Sequence, residues 1–206
     1  MKHLLAIVLL LSSFVANAQR SEQKAPSMWP YAAGAALTTS GALLTFQPEM
    51  KQVAINIKNY AQSDSHHRLT FDNYLQFAPV LAAPALSACG LNSVHTLPKM
   101  IALEGASLLL GFTFVQATKE AFHIKRPSGV GINSFPSGHT YIAFVGAETL
   151  RKEYGEEYPW LAVAGYAVAT LVGTMRIYND RHWAGDVLAG AGLGILSVNI
   201  TYWISR

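Results

Sequence analysis

The sequence predicts an all-α fold, a bundle of about six helices embedded in a membrane. Of the 206 residues, 51% are hydrophobic and 13% are charged, against about 25% charged in an average soluble domain. Apolar stretches close to the ~20 residues of a bilayer span recur along the chain, with few ionisable side chains inside them. No Asn-Gly or Asp-Gly pair divides two alternating segments, so nothing signals a β-hairpin. The length suits one domain, expected over residues 19–206 behind a leader.

That leader is read from Lys2 and His3, which precede an apolar run from Leu4 to Leu11, and from the small-x-small triplet Ala16-Asn17-Ala18. Together they predict a signal peptide over residues 1–18, cleaved before Gln19. The first helix is expected from Trp29 to Phe46, rich in Ala, Gly and Thr. A polar connection follows, in which Val53, Ile57 and Tyr60 fall at helical spacing beside Lys51 and Lys58, as in an amphipathic surface helix. The second segment, Asp72 to Cys89, carries Pro79 and Pro84, each of which removes a backbone donor and kinks or interrupts a helix. The third runs from Lys99 to Phe122 behind Pro98, a favoured helix start, and contains Glu104. The fourth begins near His139 and stops at Tyr154-Gly155. Trp160 to Met175 and Val187 to Ile204 supply the fifth and sixth. Within the sixth, Gly190 and Gly194 suit close helix packing. With Gly192 they lack the strand–turn–helix setting that a nucleotide-binding loop needs.

The formal charge of +3 comes without a Lys/Arg run, which argues against a nucleic-acid face. Cys89 is the single cysteine, so an intramolecular disulfide, a zinc-type cysteine cluster and a CxxC redox pair are all excluded.

Three clusters carry chemistry. Lys119 and Arg126-Pro127 flank the exit from the third helix. Pro136-Ser137-Gly138-His139 opens the fourth, where free N–H groups and the helix dipole can receive an anion. Arg176, His182 and Asp186 surround the link between the fifth and sixth. A chain that leaves helix three, crosses through four and returns through five meets all three clusters at one face. Three cations and backbone donors there would bind a phosphoryl group and neutralise its oxygens during in-line displacement. One imidazole could attack phosphorus, oriented by a carboxylate, and a second could protonate the leaving oxygen. No metal or cofactor is required.

Lys119-x6-Arg126-Pro127, Pro136-Ser137-Gly138-His139 and Arg176-x5-His182-x3-Asp186 resemble, in order, the three signature motifs of the type 2 phosphatidic acid phosphatase (PAP2) family. The resemblance implies a catalytic trio: His182 as nucleophile, Asp186 as its orienting partner and His139 as leaving-group acid. It implies phosphate binding by Lys119, Arg126, Ser137, Gly138 and Arg176. Met175 departs from the pattern, since the family commonly has Ser before the third-motif arginine; altered packing rather than lost chemistry is expected. Asp72-Asn73-Tyr74-Leu75-Gln76-Phe77-Ala78-Pro79 and Arg176-Ile177-Tyr178-Asn179 also look like exported members from Bacteroides-type bacteria, a group that includes lipid A phosphatases.

The implied substrate is a phosphorylated membrane lipid of the lipid A, phosphatidylglycerol phosphate, undecaprenyl diphosphate or phosphatidate class. The implied place is the bacterial inner membrane with the site facing the periplasm. A cleaved leader followed by six crossings would instead put the catalytic face in the cytoplasm. An external site therefore requires either that the leader remain as a span or that one early segment not cross, the one interrupted by Pro79 and Pro84 or the Ala/Gly-rich first one. Alternatives are a soluble periplasmic acid phosphatase, a vanadium haloperoxidase and a degenerate phospholipid-binding membrane protein. His66, His67, His95, His123 and Lys125 are assigned no role, and the oligomeric state is left open.

Overall fold

A computed structural model describes residues 27–61 and 70–206. The expected leader at residues 1–18, and His66 and His67, lie outside them. The described residues are all-α, with eight helices and no strand: α1 Trp29–Phe46, α2 Lys51–Ala61, α3 Asp72–Leu75, α4 Ala78–Ala88, α5 Leu97–Phe122, α6 Gly138–Tyr154, α7 Pro159–Tyr178 and α8 Ala184–Ile204. The expected segments are all present. The interrupted second one divides into α3 and α4, with Pro79 in the first turn of α4, where its missing N–H leaves no intrahelical acceptor unserved. Pro84 stays inside α4.

Helix α6 is the centre of the bundle, enclosed by α4, α5, α7 and α8. Ala143, Phe144 and Ala147 pack with Ala169 and Val172 of α7 and with Ala191 and Ile195 of α8. On another flank Tyr141 and Val145 meet Leu103, Val115, Val198 and Tyr202. Helix α1 lies along α8 through glycines: a Cβ on Gly41 would sit 2.5 Å from the carbonyl oxygen of Gly185, so only backbone-to-backbone packing fits there. The close-packing role expected for Gly190 and Gly194 is also met. A Cβ on Gly190 would fall 2.5 Å from the Ser137 carbonyl oxygen, and one on Gly194 would fall 2.8 Å from the Phe144 Cβ.

Among the described residues three helices, α5, α7 and α8, are long and apolar enough to cross a membrane. Their outer sides expose Ile101, Leu109, Leu110, Phe112, Phe114, Val163 and Leu171, a girdle suited to lipid rather than water. Helix α4, with 11 residues, is only about 16 Å long at 1.5 Å per residue, short of a ~30 Å hydrocarbon layer. Helix α6 needs no apolar exterior, because its carboxylates Glu148 and Glu153 are buried inside the bundle.

The alternating helices define two ends. At one, Phe46 at the close of α1 packs at 4.8 Å from the Phe122 ring and 5.1 Å from the Phe135 ring. At the other, the Tyr31 hydroxyl near the start of α1 donates to the Asn199 carbonyl at 3.0 Å, and exposed Cys89 follows α4. His95 belongs to this far end, where its backbone N–H and its Nδ1 each lie 2.9 Å from a Glu153 oxygen. Its role is structural.

Candidate active site

All three sequence clusters meet at the end where α5 and α7 finish and α6 and α8 begin. Helix α5 stops at His123, which takes a left-handed cap conformation with φ 47° and donates to the Lys119 carbonyl. The chain then folds back on itself: Arg126 N–H donates to Gly131 O at 3.2 Å and Ser134 N–H to Ile124 O at 2.9 Å. This turn collects the first-motif cations. Lys119 Nζ donates to the Asn133 carbonyl at 2.6 Å, and Arg126 Nε donates to the Asn133 side chain at 3.0 Å. The same turn is tied to the third motif, since Ser128 N–H donates to Asp180 O at 3.2 Å and Trp183 Nε1 donates to Lys125 O at 2.9 Å.

Ser137 is the N-cap of α6. Its Oγ accepts from the Thr140 hydroxyl at 2.9 Å and the Thr140 N–H at 3.4 Å, while its own N–H donates to Asp186 O at 2.9 Å. The hydroxyl proton is the donor it has left for a ligand. Gly138 and His139 are the next two residues, whose N–H groups have no intrahelical acceptor, and a Cβ on Gly138 would meet nothing within 4 Å. Space and donors therefore coincide at the start of α6, where the helix dipole favours an anion.

His182 is buried in the α7–α8 link. Its Nδ1 lies 3.4 Å from Asp186 Oδ2, a separation that allows Coulomb attraction without the alignment of a hydrogen bond. Asp186, at the third position of α8, is held by the Ser134 hydroxyl at 2.5 Å and the Trp183 N–H at 2.8 Å. With Nδ1 turned to the carboxylate, Nε2 is the nitrogen left for chemistry. Burial pushes the His182 pKa down to about 4, against an opposing pull from Asp186. Burial, with Arg176, His182 and Arg126 nearby, likewise pushes His139 down to about 4. Both rings are neutral at pH 7 in this cationic setting.

Arg176 comes from the end of α7 and is almost fully buried. Its Nη1 donates to Asp72 Oδ2 at 2.6 Å and to Asn73 Oδ1 at 3.2 Å, and its Nε has no protein acceptor. The Asn73 oxygen also meets His139 Nε2 at 3.1 Å. The structure thus brings every sequence-predicted site residue to one end of the bundle, and adds Asp72, Asn73, Asn133 and Ser134. One signal for Asp72 was available: a carboxylate leading an apolar segment needs a buried partner. Among the described residues no group of three or more His, Cys, Asp or Glu side chains is placed to hold a metal ion.

Residues 96–206 match the family model of the PAP2 superfamily. The chain belongs to this superfamily. The match begins just before α5 and covers all three PAP2 motifs. Among its relatives, the lipid A 1-phosphatase of Porphyromonas gingivalis is 37% identical in a 172-residue alignment that covers 78% of this chain and 39% of that protein. The lipid A 1-phosphatase of Helicobacter pylori strain J99 is 30% identical over 139 residues, 63% of this chain and 68% of that protein. This chain therefore spans about two fifths of the length of the first relative and about two thirds of the second. The crystal structure of Aquifex aeolicus LpxE aligns with a TM-score of 0.57 at 22% identity, covering 74% of this chain and 94% of that one. At that identity the likeness concerns the fold alone.

Proposed function

We propose that this protein removes a phosphate from a membrane lipid through a phosphohistidine formed at His182. The observation that carries the reading is the convergence of three cations, Lys119, Arg126 and Arg176, around two neutral histidines at the start of α6. Asp72 and Asp186 balance part of this charge, and a phosphoryl group supplies the anion that matches the remainder. The apolar flanks of α5, α7 and α8 and the names of the relatives favour a lipid as the alcohol part. The 1-phosphate of lipid A is the first substrate to test.

In the proposed reaction Nε2 of His182 attacks phosphorus, and the bond from phosphorus to the ester oxygen breaks as protonated His139 gives that oxygen a proton. Bound phosphate offsets the field of the arginines, which allows His139 to regain the proton it lacks in the empty site. Water then attacks the phosphohistidine, His139 takes a proton from it, and inorganic phosphate leaves with His182 restored. Asp186 stabilises the positive charge that His182 develops in the first step. Arg126, Arg176, Lys119, the Ser137 hydroxyl and the Gly138 N–H receive the phosphoryl oxygens. No step uses a metal.

The test is a panel of phosphorylated lipids and soluble monoesters hydrolysed by purified protein in detergent, with and without chelator, coupled to rapid-quench trapping of an acid-labile phosphoenzyme. His182→Ala is expected to abolish the phosphoenzyme. A labelled phosphoenzyme that persists in this variant sinks the assignment, and a rate that collapses with chelator sinks the metal-free route.

For sidedness we propose a catalytic end at the periplasmic face of the inner membrane. Cys89 is exposed at the opposite end, so a membrane-impermeant maleimide is expected to label it only after permeabilisation. Helix α1 also starts at the end opposite the site, so a leader cleaved in the periplasm would demand the reverse orientation. Labelling of Cys89 in intact cells would establish that reverse case.

A further inference from the structure

We propose that Asn73, anchored through Arg176 by Asp72, is the positioning residue of His139, fixing its tautomer so that Nδ1 is the nitrogen that takes up and releases the catalytic proton. The inference rests on the proposed phosphatase reading and adds two residues from α3, outside the three motifs.

It follows from the inventory of donors. A guanidinium only donates, so the Asn73 atom 3.2 Å from Arg176 Nη1 must be the amide oxygen. That same oxygen lies 3.1 Å from Nε2 of His139. An acceptor facing Nε2 requires Nε2 to carry a hydrogen, which leaves Nδ1 bare in the neutral ring. In the imidazolium Nε2–H stays on the amide, and the transferable proton sits on Nδ1. Asp72 makes the assignment firm: Oδ2 takes Arg176 Nη1 at 2.6 Å, and Oδ1 receives Asn179 Nδ2 at 3.4 Å. The backbone carbonyl of Asn73 is itself held by Gln76 Nε2 at 2.6 Å.

The two catalytic histidines would then have orienting partners of opposite character. His182 faces a carboxylate, which suits a nucleophile that must become cationic. His139 faces a neutral amide, which fixes the ring without adding negative charge and so keeps it a stronger acid. The charged and titratable groups around His139 are Arg176, His182, Asp72 and Arg126, and Asn73 contributes direction rather than charge.

The test uses the full chain in detergent, labelled with nitrogen-15 in histidine, with His139 assigned by His139→Gln. Wild type is expected to show His139 as the Nε2–H tautomer at neutral pH, and Asn73→Ala to show a mixture. In kinetics, Asn73→Ala should lose about tenfold more kcat on an alkyl phosphate than on an activated aryl phosphate. Asn73→Asp should move the basic limb of kcat to higher pH, because a carboxylate there holds the imidazolium of the substrate-bound enzyme. A wild-type Nδ1–H tautomer overturns the proposal. So does equal loss on both substrates with the tautomer and pH profile unmoved, the pattern of a purely structural residue. A wild-type protein inactive on every phosphate, with the tautomer result as expected, would sink the phosphatase reading and leave the Asn73–His139 relationship standing.

Discussion

Oδ2 of Asp186 lies 3.4 Å from Nδ1 of His182 while accepting hydrogen bonds from the Ser134 hydroxyl and the Trp183 N–H. The carboxylate is thus fixed from two sides before it meets the imidazole. Asp186→Asn keeps an acceptor for both donors but removes the charge that stabilises an imidazolium. It is expected to lower kcat by about 10²–10⁴-fold with the fold intact, by the logic of a carboxylate-oriented histidine. Single-turnover phosphoenzyme formation measures the loss. A rate within a few-fold of wild type would remove Asp186 from the role.

The arginines call for different experiments. Arg126 is half-buried and meets a neutral partner, Asn133, so Arg126→Ala should fold normally and lose about 10²–10³-fold in kcat, as for other lost transition-state donors. Arg176→Ala also strands the buried Asp72 carboxylate, and breaking such a pair costs about 3–5 kcal/mol. Combining Arg176→Ala with Asp72→Asn should recover much of the lost stability but none of the activity, as thermal melts beside turnover would show.

The pKa values of His139 and His182 both fall from 6.5 to about 4 on folding. Between those values the unfolded chain binds protons that the folded one does not, so stability is lost as pH falls from about 6.5 towards 4. Melting temperature should drop across that window, and phosphate or vanadate should lessen the drop by stabilising the imidazolium forms. The acidic limb of kcat/KM should fall near pH 4, where His182 gains a proton and ceases to be a nucleophile. A melting temperature flat from pH 7 to 4 would contradict the neutral, buried assignment.

Tyr202 donates to Glu153 at 2.6 Å at the far end of the bundle. Tyr202→Phe leaves a buried carboxylate one donor short and should cost about 1–3 kcal/mol of stability. Because the site lies at the other end, kcat on the best substrate should stay unchanged at a temperature where the variant is folded.

Gly190 links fold to site, because a Cβ there would press on the Ser137 carbonyl oxygen. Gly190→Ala should lower stability by about 1–3 kcal/mol through overpacking and displace the start of α6. Activity should fall with it, whereas Gly105→Ala, inside α5 where a Cβ meets nothing within 4 Å, should raise stability slightly and leave activity unchanged.

The all-α class, the order of the apolar segments and the meeting of the three motifs at one end were legible in the sequence. Each follows from local signals: apolar runs, proline and glycine punctuation, and the alternation of direction through short links. Hydropathy alone did not separate helices that face lipid from α6, which is enclosed by its neighbours and keeps Glu148 and Glu153 buried. Nor did it show that α4 would be a short helix. Asp72 and Asn73 were visible as residues but not as parts of the site, because their partner Arg176 is more than 100 positions away. Periodicity and spacing constrain what a residue does to its own helix. Which guanidinium a carboxylate meets across the bundle is decided when α3 docks on the end of α7, and only the tertiary structure contains that contact.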